Sequence, residues 1–84
     1  MCYIKAEDIK DGFIESECFA YFKSAKGSLM EVILPRSQVK EEENLFQAWT
    51  IAEKGDTKLV ELPRETTGGY WRAWVNTDLI VEDA

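Results

Sequence analysis

The sequence predicts an all-β domain, a small antiparallel barrel of five or six short strands, and three observations point to it. First, Ala20 to Arg36 (AYFKSAKGSLMEVILPR) recurs 28 positions later as Ala48 to Arg64 (AWTIAEKGDTKLVELPR), with seven of seventeen positions identical. Such a copy marks a structural unit used twice, and a turn flanked by apolar residues reads as a β-hairpin. Second, the segments LMEVIL and YWRAWV combine β-branched or aromatic residues with alternation, as half-buried strands do. Third, the two prolines stand at equivalent Leu-Pro-Arg sites, where the missing N–H matches a strand end.

Taken in order, Lys10-Asp11-Gly12 closes a short N-terminal segment, and the aromatic-rich Phe13 to Lys23 runs into a loop at Ser24 to Ser28. The next strand, Leu29 to Leu34, sets Met30, Val32 and Leu34 on one face and Leu29, Glu31 and Ile33 on the other. Pro35 stops it. Lys40 to Asn44 is a charged connector to the strand Leu45 to Ala52, and Lys54-Gly55-Asp56 turns the chain into the returning strand Lys58 to Leu62. Gly68-Gly69 supplies a tight turn before Tyr70 to Val75, which alternates Tyr70, Arg72 and Trp74 against Trp71, Ala73 and Val75. The competing reading is α+β. Val39, Leu45, Phe46, Trp49 and Ala52 fall near helical spacing, so positions 38–54 also read as a helix capped by Gly55. The repeated turn, strand and Leu-Pro-Arg unit favours the hairpin.

Eighty-four residues make one domain, 1–84, with a thin core. Ten basic against sixteen acidic residues give a net charge of −6, which disfavours a nucleic-acid partner. Cys2 and Cys18 form no CxxC pattern and read as reduced thiols. No apolar run approaches a membrane span, and the first dozen residues carry acids where a signal peptide needs an apolar stretch. A cytoplasmic protein with no membrane contact is the expectation.

Two stretches carry a family resemblance. Ile33 to Glu41 (ILPRSQVKE) resembles the SH3-type strand end in which a Leu-Pro-x-Ser-x-Val turn leads into the last strand. Tyr70 to Ile80 (YWRAWVNTDLI) is similar to the closing stretch of bacterial SH3-like domains. The chain lacks the acidic-aromatic first loop of the eukaryotic pattern. The resemblance therefore implies a small barrel, not proline-peptide recognition.

The chain contains no histidine, which removes Ser-His and Cys-His pairs, histidine zinc sites and the commonest general base. No phosphate loop or calcium loop occurs. The expectation is a non-enzymatic module with no catalytic residues, metal or cofactor. Cys18, among Phe19, Tyr21 and Phe22, reads as a buried inert thiol, and Glu41-Glu42-Glu43 as a solvated run.

Recognition chemistry is left. Arg36, Arg64 and Arg72 are the only arginines, two at the Leu-Pro-Arg sites and one within the tryptophan-rich strand. Arginine beside tryptophan and tyrosine is the composition of interface hot spots. The expected protein-binding residues are Tyr70, Arg72, Trp74, Arg36, Arg64 and Trp49, with at least one tryptophan exposed. Alternatively, Arg72 snorkels over Trp71 or Trp74 while Arg36 and Arg64 pair with Glu31 and Glu61 of the repeat. Two further readings compete: an acidic inhibitor presenting Glu41, Glu42, Glu43, Glu53 and Asp56 to a basic groove, and a single-strand nucleic-acid binder that stacks bases on its aromatic rings. A homodimer through an open strand edge is also compatible with the duplicated unit.

Overall fold

In the computed structural model, which describes residues 1–82, the chain is nearly all β. Among the described residues nine strands run as β1 (Cys2–Lys5), β2 (Asp8–Asp11), β3 (Glu17–Lys23), β4 (Leu29–Pro35), β5 (Val39–Lys40), β6 (Leu45–Lys54), β7 (Thr57–Glu61), β8 (Arg72–Asn76) and β9 (Ile80–Glu82). The strand number exceeds the expected five or six. The additions are short pieces without a long apolar run, such as β1, β2 and the two-residue β5. The helical reading of 38–54 is overturned. That segment is β5, one 3₁₀ turn at Glu41–Glu43 and β6, and no α-helix occurs among the described residues. Asn44 adopts φ 55°, a left-handed corner that sends Leu45 into extended backbone.

All pairings are antiparallel. One sheet has the order β8-β7-β6-β1-β9 with β5 also on β6, and the other is β2-β3-β4. β6 is long enough to hold β1 and β5 along Leu45–Phe46 and β7 from Trp49 onward. The two sheets meet over a single core. Ala20, Phe22, Val32 and Leu34 from one sheet and Ile4, Phe46, Ala48, Val60 and Val75 from the other are all sealed from water. Phe22 and Phe46 lie across this divide with ring centroids 5.3 Å apart. Burying side chains of this size stabilises by about 1.5–3 kcal/mol each, so these inward positions hold the sheets together.

Both copies of the repeat are hairpins, β3–β4 and β6–β7, but they are not paired alike. In the first, Ala20 faces Val32, and the closing pair Lys23–Leu29 leaves Ser24–Ser28 as the loop. In the second, Val60 faces Thr50 instead of Ala48, and the closing pair Lys54–Thr57 leaves only Gly55 and Asp56. Ile51 bulges out between Thr50 and Ala52 where the register shifts. Gly55, at φ 59°, occupies the first position of this two-residue turn, the place where a primed turn requires glycine. The repeat thus preserves the inward set, since Ala20 and Ala48, Val32 and Val60, and Leu34 and Leu62 are buried alike. It does not preserve register.

A second likeness lies outside the repeat. After β4, Arg36–Gln38 forms a 3₁₀ turn leading to β5; after β8, Thr77–Leu79 does the same into β9. The residues entering these turns have nearly the same backbone, Pro35 at φ −60°, ψ 141° and Asn76 at φ −63°, ψ 140°. They are the ILPRSQVKE and YWRAWVNTDLI stretches.

Candidate functional site

The outer face of β6–β7–β8 gathers much of the aromatic and arginine content. Cross-strand neighbours share a face, and the register sets Trp49 beside Glu61 and Glu61 beside Arg72, with Ala52, Leu59 and Trp74 forming the next row. Trp49 and Trp74 are 39% and 38% exposed. Arg72 is held in place by Glu61, whose Oε2 accepts from Nε at 3.3 Å and Nη2 at 3.2 Å. Tyr70 and Trp71, expected on opposite faces of one strand, both precede β8 and are 60% and 55% exposed. Only Ala73 and Val75 of the Trp71-Ala73-Val75 set turn inward, because the chain enters the strand two residues late.

Beside this face the two sheets fail to close. β8 and β4 are edge strands of different sheets, and a groove of about 550 Å³ separates them. Leu29, Met30 and Glu31 line one side, and Arg72, Ala73 and Trp74 the other. Each end is tied by backbone. At one end the Ala25 N–H donates to the Trp74 carbonyl at 2.7 Å. At the other, Val32 bridges to Thr66 and the Thr67 N–H donates to the Glu31 carbonyl at 3.0 Å. The second tie depends on a compact turn. Thr66 N–H donates to the Tyr70 carbonyl, Tyr70 N–H donates to the Thr66 hydroxyl, and Gly69 adopts φ 91° to complete it. That turn sets Tyr70 at the groove mouth.

Arg36 and Arg64 are placed elsewhere, at the start of β3. Arg36 donates to Asp11 Oδ1 at 2.7 Å, to the Glu41 carboxylate and to the Glu15 carbonyl. Arg64 Nη1 donates to Glu17 Oε2 at 3.1 Å. The expected pairing of these two arginines with Glu31 and Glu61 is therefore corrected. Glu61 holds Arg72, the tertiary fold brings Asp11 and Glu17 to the Leu-Pro-Arg sites from distant positions, and Glu41 reaches Arg36 from five residues further along the chain. Arg36 is thus occupied in pinning the 12–16 loop, whose Phe13 is 82% exposed while its ring stands nearly perpendicular to that of Phe19, with centroids 5.1 Å apart.

Cys18 is buried beside this cluster and donates its thiol to Glu41 Oε1 at 3.3 Å. Burial and the Glu41 carboxylate push the thiol up to about 11 from 9.0, so it is protonated and unreactive near neutrality. Of the acids assigned to the inhibitor reading, Glu41 is held by Arg36 and Glu53 by Lys58 at 3.1 Å. Among the described residues no cluster of three metal-ligating side chains occurs, and no helix is long and apolar enough to cross a membrane.

Sequence reasoning missed the opposite wall of the groove, Leu29 to Glu31, and the tie that the turn before Tyr70 makes to it. Their signal was partial: Leu29 fell on the outward face of its strand, and Gly68-Gly69 marked a turn, but neither reveals which strand lies opposite. Comparison with protein-family models, with curated proteins and with solved structures finds no match.

Proposed function

We propose that this chain is a non-enzymatic binding module that docks a protein partner through the strip formed by Tyr70, Arg72 and Trp74, with Trp49 on the same sheet. The observation that carries the reading is the exposure of Trp49, Trp74 and Tyr70 beside an arginine already oriented by Glu61. Large aromatic side chains left in water on a domain this small represent contact area that a partner can desolvate. A pre-oriented guanidinium loses less freedom on binding than a mobile one. Arg36 and Arg64 brace the loop at the start of β3, on another part of the surface. The SH3-like resemblance remains the architecture we propose for the strand, 3₁₀ turn and strand units.

The test is capture from a cell extract by the immobilised wild-type chain, by Arg72→Ala/Trp74→Ala, and by Phe13→Ala as a control on another surface. Each variant is first checked for wild-type circular dichroism. Loss of the captured protein with the double variant and its retention with Phe13→Ala are expected. Equal capture by all three rejects the strip.

A further inference from the structure

The groove between β4 and β8 has a backbone as well as a lining, and the ladders show which groups face it. In an antiparallel pair, residues alternate between those bonded to the neighbour and those whose N–H and C=O point away. Leu62 N–H donates to the Trp71 carbonyl, so Trp71, Ala73 and Val75 face β7 while Arg72 and Trp74 face outward. The bond from Ala25 to the Trp74 carbonyl agrees with this phase. On the other wall Ser24 N–H donates to the Ser28 carbonyl, so Met30 faces β3 while Leu29 and Glu31 face outward. The bond from Thr67 to the Glu31 carbonyl agrees again. The N–H and C=O of Arg72 and Leu29, and the N–H of Trp74 and Glu31, therefore point into the groove from its two sides.

We propose that this seam takes an extended cationic segment of a partner protein, docked as an added β-strand, which rests on the binding-module reading above and names the partner's chemistry. A row of edge donors and acceptors specifies extended backbone, because only a strand matches their spacing. The charge around the seam specifies the side chains. Glu31 lines it, Glu65 stands beside Gly69 at the same end, and Glu61 compensates Arg72, while Lys26 and Lys23, the cross-strand neighbour of Leu29, oppose them at the far end. The whole chain carries −6 and attracts cations at long range. Tyr70 and Trp74 offer exposed ring faces on which an ammonium or guanidinium group can rest. Along a docked strand, alternate side chains would meet these rings and carboxylates, while those between them turn toward Met30 and Ala73. The recognised pattern is basic alternating with small apolar.

The probe is an acetylated and amidated heptapeptide alternating lysine with valine, compared with its glutamate counterpart and with a version N-methylated at the valines. Titration into the ¹⁵N-labelled chain should shift the amides of Leu29, Glu31, Arg72 and Trp74 and the Trp74 indole. Both control peptides should bind at least about tenfold more weakly, and Glu31→Gln and Trp74→Ala should each weaken the lysine peptide by about tenfold. Glu31→Gln keeps the test decisive should Trp74→Ala disturb the fold. Shifts confined to other surfaces, equal affinity for the glutamate peptide, or no shift at all overturn the proposal. The same amides moving with protein concentration alone would make a second copy the occupant and overturn it too. No peptide binding alongside partner capture sensitive to Arg72 and Trp74 would sink the strand slot and leave the binding module standing.

Discussion

Phe46→Ala removes a fully buried ring from β6 that packs against Phe22 of β3, and so strikes the contact between the two sheets. A buried Phe→Ala change costs about 3–5 kcal/mol. A chain of 84 residues has about 4–13 kcal/mol of stability in total, at 0.05–0.15 kcal/mol per residue. The alanine variant should therefore lose from about a quarter to all of that stability. The informative measurement uses gentler changes, Phe46→Leu and Phe22→Leu, which conserve apolar character and remove only part of each ring's volume. Because the rings are in tilted contact, the double-mutant cycle should return a coupling of about 0.5–1.5 kcal/mol. Urea unfolding, followed in parallel by far-ultraviolet circular dichroism and tryptophan fluorescence, gives the four free energies. All three tryptophans lie in or beside the larger sheet, so coincident curves also report that both sheets unfold together. Additivity within about 0.3 kcal/mol, or two separated transitions, would refute the shared core.

Gly55→Ala should lower stability by about 1 kcal/mol, a fall in Tm of about 4–8 °C, because φ 59° is strained for alanine although no atom lies within 4 Å of the new Cβ. Gly55→Asn should recover part of the loss in the same thermal scan, and a neutral alanine variant would contradict the assigned turn. The thiol of Cys18 is raised in the fold, so the native state holds its proton more tightly than the unfolded chain. Stability from this group is complete below pH about 9 and is lost as pH rises through about 11. Urea midpoints across that window should fall more steeply for wild type than for Cys18→Ala, in which the lysine and tyrosine contributions are unchanged; parallel slopes would contradict it.

The fold class was legible because burial leaves a two-residue period in β4, where Met30, Val32 and Leu34 turn inward as their alternation requires. Register was less legible. Seven identities suggested equivalent hairpins, yet a loop of Ser24–Ser28 and a turn of Gly55-Asp56 close them differently, and the Ile51 bulge absorbs the mismatch. Burial constrains which side chains point inward, whereas register follows the turn, and an aligned repeat reports the first more strongly. The exposure of Trp74 and Arg72 on one face followed from alternation. Trp71 escaped that logic because β8 begins at Arg72. The partners of Arg36 and Arg64 were hidden for another reason: Asp11 reaches Arg36 only through the pairing of β2 with β3 and of β3 with β4, and Glu17 reaches Arg64, which follows β7, only where the two sheets meet. Local sequence holds no record of such approaches.

Native-state hydrogen exchange on the free chain tests most directly whether the seam offers an unpaired backbone beside the exposed aromatic strip. The amides of Leu29, Glu31 and Arg72 should exchange orders of magnitude faster than those of Met30, Val32, Ala73 and Val75, their neighbours on the same strands. Equal protection of Arg72 and Ala73 would mean that β8 is already covered, and a partner strand would have nowhere to pair.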